Sequence, residues 1–162
     1  MIFTPFIGVN HHYQSVYFGF AFLHDETTES FCWLFKKFLE SMPGGAPKSI
    51  ITDQDPAMAK AIPQIFPNIF HRWCIWHITQ KLPNKLESKL YRGDFSVSFH
   101  NLIKNCETPE EFETKWHNLL QQYELDDNNW LKELYDKRQK WVNAYLKHIF
   151  SVGMTSSQRS ES

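Results

Sequence analysis

The stretch Ser49-Ile50-Ile51-Thr52-Asp53-Gln54-Asp55-Pro56 constrains the fold more than any other. A short apolar run ends abruptly in two carboxylates. Pro56 then opens the alanine-rich segment Ala57-Met58-Ala59-Lys60-Ala61-Ile62. This pattern predicts a buried strand, a tight turn, and a helix with proline at its first position, where a missing N–H costs nothing. A carboxylate at the C-terminal end of a strand in an α/β sheet stands at the rim where ligands and metals bind. A second dense group of possible ligands, His71-Arg72-Trp73-Cys74-Ile75-Trp76-His77, follows it. Whether the two groups form one site is the functional question.

The 162 residues fit one domain with a sizeable core. A formal net charge of −1 offers no global basic field for nucleic acid, although a local patch stays open. Three cysteines at unrelated spacings argue against a disulfide scaffold and for a reducing, intracellular compartment. No apolar run approaches the ~20 residues of a membrane span. Met1-Ile2-Phe3-Thr4-Pro5 lacks the features of a signal peptide. The chain reads as part of a longer polypeptide.

Two apolar runs, Ile2 to Val9 and Ser15 to Leu23, flank the polar Asn10-His11-His12-Tyr13-Gln14 and predict a β-hairpin. Pro5 marks an edge or a bulge. The continuous apolar character predicts burial on both faces. Asp25-Glu26-Thr27-Thr28 supplies helix caps, and Phe31, Leu34, Phe35, Phe38, Leu39 and Met42 recur at helical spacing until Pro43-Gly44-Gly45. After the strand to Thr52, a helix is expected from Pro56 to about Phe66, disturbed by Pro63. A short strand follows at Asn68–His71, then a helix from Trp73 to about Leu82, stopping before Pro83. The order β-β-α-β-α-β-α predicts an α/β fold with one mixed sheet. Beyond Pro83 only helices are expected: around Phe95–Ile103, after the capping box Thr108-Pro109-Glu110-Glu111, and from Asn129, with Trp141–Leu146 continuing it or starting another.

Two-metal phosphoryl transfer needs carboxylates holding a pair of Mg²⁺ ions ~4 Å apart. Asp53 is the ligand candidate, and Asp55, just before Pro56, is the N-cap candidate. The competing reading is that an Asp before a helix simply caps it. Cys74 and His77, three apart on the expected helix, share a face and could bind one Zn²⁺ if His71 or a distant residue completed the set. The competing reading is a buried thiol and a hydrogen-bonded histidine. His11 and His12 fit a solvated turn. Arg72 could contact phosphate or pair with a carboxylate.

Taken in order, Gly8-Val9-Asn10-His11-His12, Asp25-Glu26-Thr27-Thr28-Glu29-Ser30-Phe31-x-Trp33-Leu34-Phe35, Ile51-Thr52-Asp53-Gln54-Asp55 and His71-Arg72-Trp73-Cys74-Ile75-Trp76-His77-Ile78 resemble the Mutator-like (MULE) transposase domain. More narrowly, they resemble its version in plant proteins of the far-red-impaired-response and far-red-elongated-hypocotyl family. Trp141-Val142-x-Ala144-Tyr145-Leu146 and Gly153-Met154-Thr155-Ser156-Ser157-Gln158-Arg159-Ser160-Glu161-Ser162 extend the resemblance across nearly the whole chain. It implies a ribonuclease-H-like α/β mixed sheet with a C-terminal all-helical insertion: a core over 1–82 lacking its first strand, an insertion over 83–150, and a truncated last catalytic-type helix over 151–162. It implies that Asp53 and Glu161 match two of three metal-holding acids and face each other, and that Cys74 and His77 match a family Cys-x-x-His pair. The first acid has no counterpart, since Ile2 to Leu23 contains no Asp or Glu.

The resemblance further implies a domesticated, non-catalytic transposase core within a nuclear transcription regulator of light-responsive development. DNA would be contacted through regions outside this chain, with zinc held in fingers there. Homo- or hetero-dimers with family members are expected, and no membrane contact. The alternative is a fragment of an active DDE-type transposase performing Mg²⁺-dependent strand transfer. A third reading is a zinc-stabilised interaction module built on Cys74 and His77.

Overall fold

A computed structural model describes residues 1–10, 12, 14–86 and 94–146. They form a mixed α/β structure of two compact units, one spanning Met1–Trp76 and the other beginning at His77.

The first unit opens with strands β1 (Ile2–Val9) and β2 (Ser15–Leu23), paired antiparallel. Asn10 organises the loop between them. Its side-chain oxygen accepts the N–H groups of His12 at 2.9 Å and Gln14 at 3.1 Å. His11 lies outside the described residues. The register shifts between Phe6 and Ile7, leaving Phe18 as the extra residue of a bulge. Gly19 takes a φ of +148° there, and Gly8 makes room for the Phe18 ring, since a Cβ on Gly8 would fall 2.3 Å from it.

Helix α1 (Thr28–Ser41) starts where the caps predict. The Thr27 side chain accepts the Ser30 N–H, and Phe31, Leu34 and Phe35 are buried. Asp25 braces this start, accepting from Ser30 Oγ at 2.6 Å and Thr27 Oγ1 at 2.8 Å. The Ser30 bond and then the Thr27 bonds hold its carboxyl down at about 2.

Helix α2 (Pro56–Ile65) carries Ala61 and Ile62 into the same core. Leu23, Phe31, Leu34, Phe35, Ala61, Ile62 and Phe66 form that core, with Phe6 stacked on Phe38 at 4.3 Å. Strand β3 (Ser49–Thr52) pairs in parallel with β4 (Phe70–Trp73), joined by α2 as the crossover.

Three expectations need correction. The described strands form two two-stranded sheets, β1–β2 and β3–β4, rather than one mixed sheet. Pro5 removes a donor from β1 and the bulge disturbs the ladder just beyond, so β1 is a poor template for another strand. Burial on both hairpin faces also fails: Phe3, Tyr17, Phe18, Phe20 and Phe22 are all exposed. Along β2, Ala21 and Leu23 face the core, while Phe20 and Phe22 alternate outward into a cluster with Phe3. Finally, β4 begins at Phe70, two residues later than the apolar pattern suggests, and the helix after β4 does not stop before Pro83, whereas the one from Pro56 ends close to Phe66 as expected. Helix α3 (Ile75–Lys85) runs through Pro83, as α2 runs through Pro63. Each proline leaves the carbonyl one turn back without its helical donor, and each helix ends two residues later.

The second unit is helical: α4 (Phe95–Asn105), α5 (Pro109–Gln122), α6 (Asn129–Asp136), then 3₁₀ turns at Arg138–Lys140 and Asn143–Tyr145. Thr108 caps α5, but Glu111 reaches back to the N–H of Glu107 rather than Thr108, so the capping box is displaced by one residue. Phe95, Phe99, Phe112, Trp116 and Trp141 are buried together, and the Trp141 indole N–H is satisfied by the Leu134 carbonyl at 2.9 Å. Glu113 ties three elements together. It accepts from Arg138 Nε at 2.6 Å and from the hydroxyls of Tyr135 and Tyr145. Among the described residues, no helix is long and apolar enough to cross a membrane.

Glu113→Ala strips a half-buried cation and two phenols of their acceptor, so urea unfolding should show a loss of about 2–3 kcal/mol. Asp25 has a depressed folded pKa, so its stabilisation is present above its ordinary 3.8 and is lost as pH falls toward about 2. Thermal melts between those values should fall less steeply for Asp25→Asn than for the wild type.

Candidate functional site

The candidate site lies at the C-terminal tips of the parallel pair. The ladder pairs Ile51 with Arg72 and Thr52 with Trp73, and the Cys74 N–H donates to the Thr52 carbonyl at 2.8 Å. This last bond holds the residue after β4 beside the residue before Asp53. The Thr52 hydroxyl links the strands a second time. It donates to the Asp53 carbonyl at 2.8 Å and lies 2.8 Å from His71 Nε2. With the hydroxyl proton directed at Asp53, the histidine nitrogen is the donor in that pair.

Asp53 leaves the strand as expected and is half-buried. One of its carboxylate oxygens accepts the Asp55 N–H at 3.0 Å, which closes the turn. Asp55 in turn accepts the Met58 N–H at 2.7 Å and caps α2 ahead of Pro56. The two acids form a relay in which each fixes the backbone that follows it.

Cys74 is fully buried and precedes α3 rather than lying within it, whereas His77 is the third residue of that helix. Cys74 therefore stands just ahead of the helix, three residues before His77. The chain between β4 and α3 turns at Cys74 to satisfy Thr52. Arg72 is only 2% exposed, and burial lowers its pKa from the ordinary value. A phosphate in solvent cannot reach it without opening the unit. Glu161 lies outside the described residues.

A pair of Mg²⁺ ions needs several converging carboxylates, and a structural zinc needs four ligands. Among the described residues, no three of His, Cys, Asp and Glu come together in a way that could hold a metal. The acids at the strand tip are Asp53 and Asp55, each with an oxygen accepting a backbone N–H. The described donors by themselves do not complete either metal centre.

The sequence pointed to Asp53, Asp55 and His71 but not to Thr52, whose hydroxyl joins the Asp53 carbonyl to His71. A threonine at a strand end carries no distinguishing spacing. The exposed aromatics of β2 did carry a signal: Gly19 and Ala21 alternate with Phe20 and Phe22, with the small residues turned inward.

The MULE transposase domain family matches residues 1–81, half of the chain. This chain belongs to that family. It is 43% identical over 161 residues to FAR1-RELATED SEQUENCE 5 of Arabidopsis thaliana, covering 99% of this chain and 20% of the relative. It is 40% identical over 158 residues to FAR-RED IMPAIRED RESPONSE 1 of the same plant, covering 97% and 19%. FAR1-RELATED SEQUENCE 9 is 31% identical over 159 residues, covering 98% and 29%. The MULE transposase chain thus spans about a fifth to under a third of the length of these relatives. The match to the family ends within α3, and the similarity to the plant relatives continues through the helical unit.

Asp55→Ala removes the α2 cap and should cost about 1 kcal/mol in urea unfolding. Asp53→Asn keeps an oxygen for the Asp55 N–H and should change stability by less than ~0.5 kcal/mol. A large loss in the second variant would show that the negative charge itself is structural.

Proposed function

We propose that this chain is the non-catalytic, transposase-derived core of a nuclear transcription regulator. It acts as a scaffold for self-association and for regions of a longer polypeptide that contact DNA and hold zinc. One observation carries the reading. The strand-tip carboxylates have local backbone duties, with Asp53 closing the turn and Asp55 capping α2. The hairpin Ile2–Leu23 contributes no carboxylate to face them. The names of the plant relatives, which refer to far-red response, support a role in light-responsive development.

The element order and the acid at the tip of β3 support a ribonuclease-H-like arrangement, in which the helices after Lys85 are the insertion. Asp53 and Glu161 would then approach each other. That same placement of Asp53 at a parallel strand tip favours a second reading, a fragment of an active DDE-type transposase with Mg²⁺-dependent strand transfer.

The two readings separate in cells. A fluorescent fusion of the full-length protein should enter the nucleus, and its activation of a promoter reporter should be unchanged by Asp53→Asn. Loss of reporter activity, in a variant that folds and accumulates normally, would favour the enzyme.

A further inference from the structure

Where β2 hands over to α1, the first unit has an open cavity of about 340 Å³ lined by Phe22, Leu23, His24, Glu29, Ser30 and Trp33. Phe22 is 57% exposed and Trp33 is 54% exposed, so both rings present themselves to solvent from different elements. Glu29 lies four residues before Trp33 and shares its helix face. From His24 to Leu34 the chain carries three carboxylates, Asp25, Glu26 and Glu29, and no lysine or arginine. The bases farther along α1 serve Glu40: Lys37 bonds it at 2.7 Å, and Lys36 adds to the field that lowers its pKa.

We propose that this cavity is a docking site for an arginine side chain of a basic peptide segment in a partner protein. A guanidinium stacks on an indole face and pairs bidentately with a carboxylate, and these are the two kinds of group that line the space. Aromatic platforms also stack nucleobases, but three carboxylates with no lysine or arginine between His24 and Leu34 repel phosphate. The positive end of the α1 dipole amounts to about half a charge, and the Ser30 N–H is taken by the Thr27 cap, so the three carboxylates outweigh it in the local field. The site lies apart from the strand-tip acids and does not depend on whether those acids are catalytic.

The test is a ¹⁵N NMR titration of the 162-residue chain with a peptide carrying three arginines separated by glycines. The control peptide carries citrulline in place of arginine, which keeps the shape and removes the charge. The indole N–H signal of Trp33, assigned by its absence in Trp33→Phe, should shift saturably with the arginine peptide and not with the citrulline one. Glu29→Gln should weaken binding about fivefold or more, while Val97→Ser on the exposed surface of the helical unit should leave it unchanged. Trp33→Phe keeps a ring and the fold, and its remaining cavity signals should still shift. Equal response to both peptides, no effect of Glu29→Gln, or stronger shifts with oligo(dT) than with the arginine peptide would each overturn the assignment.

Discussion

The parallel pairing of Ser49–Thr52 with Phe70–Trp73 sets the position of the strand-tip groups in the first unit. Its last bond, Cys74 N–H to the Thr52 carbonyl, carries the ladder one residue past the end of β4. One consequence is that Thr52, Asp53, His71 and Cys74 converge on a single strand tip. Another is that α3 starts at Ile75, with Cys74 sealed beneath it. The thiol is fully buried where this backbone bond holds it.

Local signals in the sequence were read well where one residue dictates one bond. Thr27, Asp55 and Thr108 each cap the helix they were expected to cap, because an oxygen one residue ahead of a helix has a nearby orphan N–H to accept. The apolar spacing of α1 gave its buried face for the same reason. Signals that depend on distant partners were read less well. A continuous apolar strand does not say whether a second layer exists to cover it, and the outer face of β2 has none among the described residues. Proline marks where a helix loses a bond, but packing of Ile62 and Leu82 in the interior holds each helix through the weak point. The shift of β4 to Phe70–Trp73 follows from its register with β3, which no local pattern encodes.

Of the candidate site, Asp53, Asp55 and His71 were legible and the Thr52 hydroxyl was not. Spacing alone placed Cys74 on the helix with His77, whereas the helix begins one residue after it. Membership in the MULE transposase domain family sets the ancestry of this arrangement, while hydrogen bonding describes its present state. In that state each strand-tip acid stabilises the backbone immediately after it. A metal centre would ask the same oxygens to turn toward an ion. The exposed aromatics and acids at the start of α1 form a different kind of surface, one suited to contact with another protein.

The most direct test of the local role assigned to the strand-tip acids is an NMR titration of the chain with Mn²⁺, read as paramagnetic broadening of backbone amides. The account predicts no saturable broadening centred on Asp53 and Asp55. Selective broadening there at low millimolar Mn²⁺, joined by signals near Glu161 and abolished by Asp53→Asn, would contradict it and restore a metal-dependent centre.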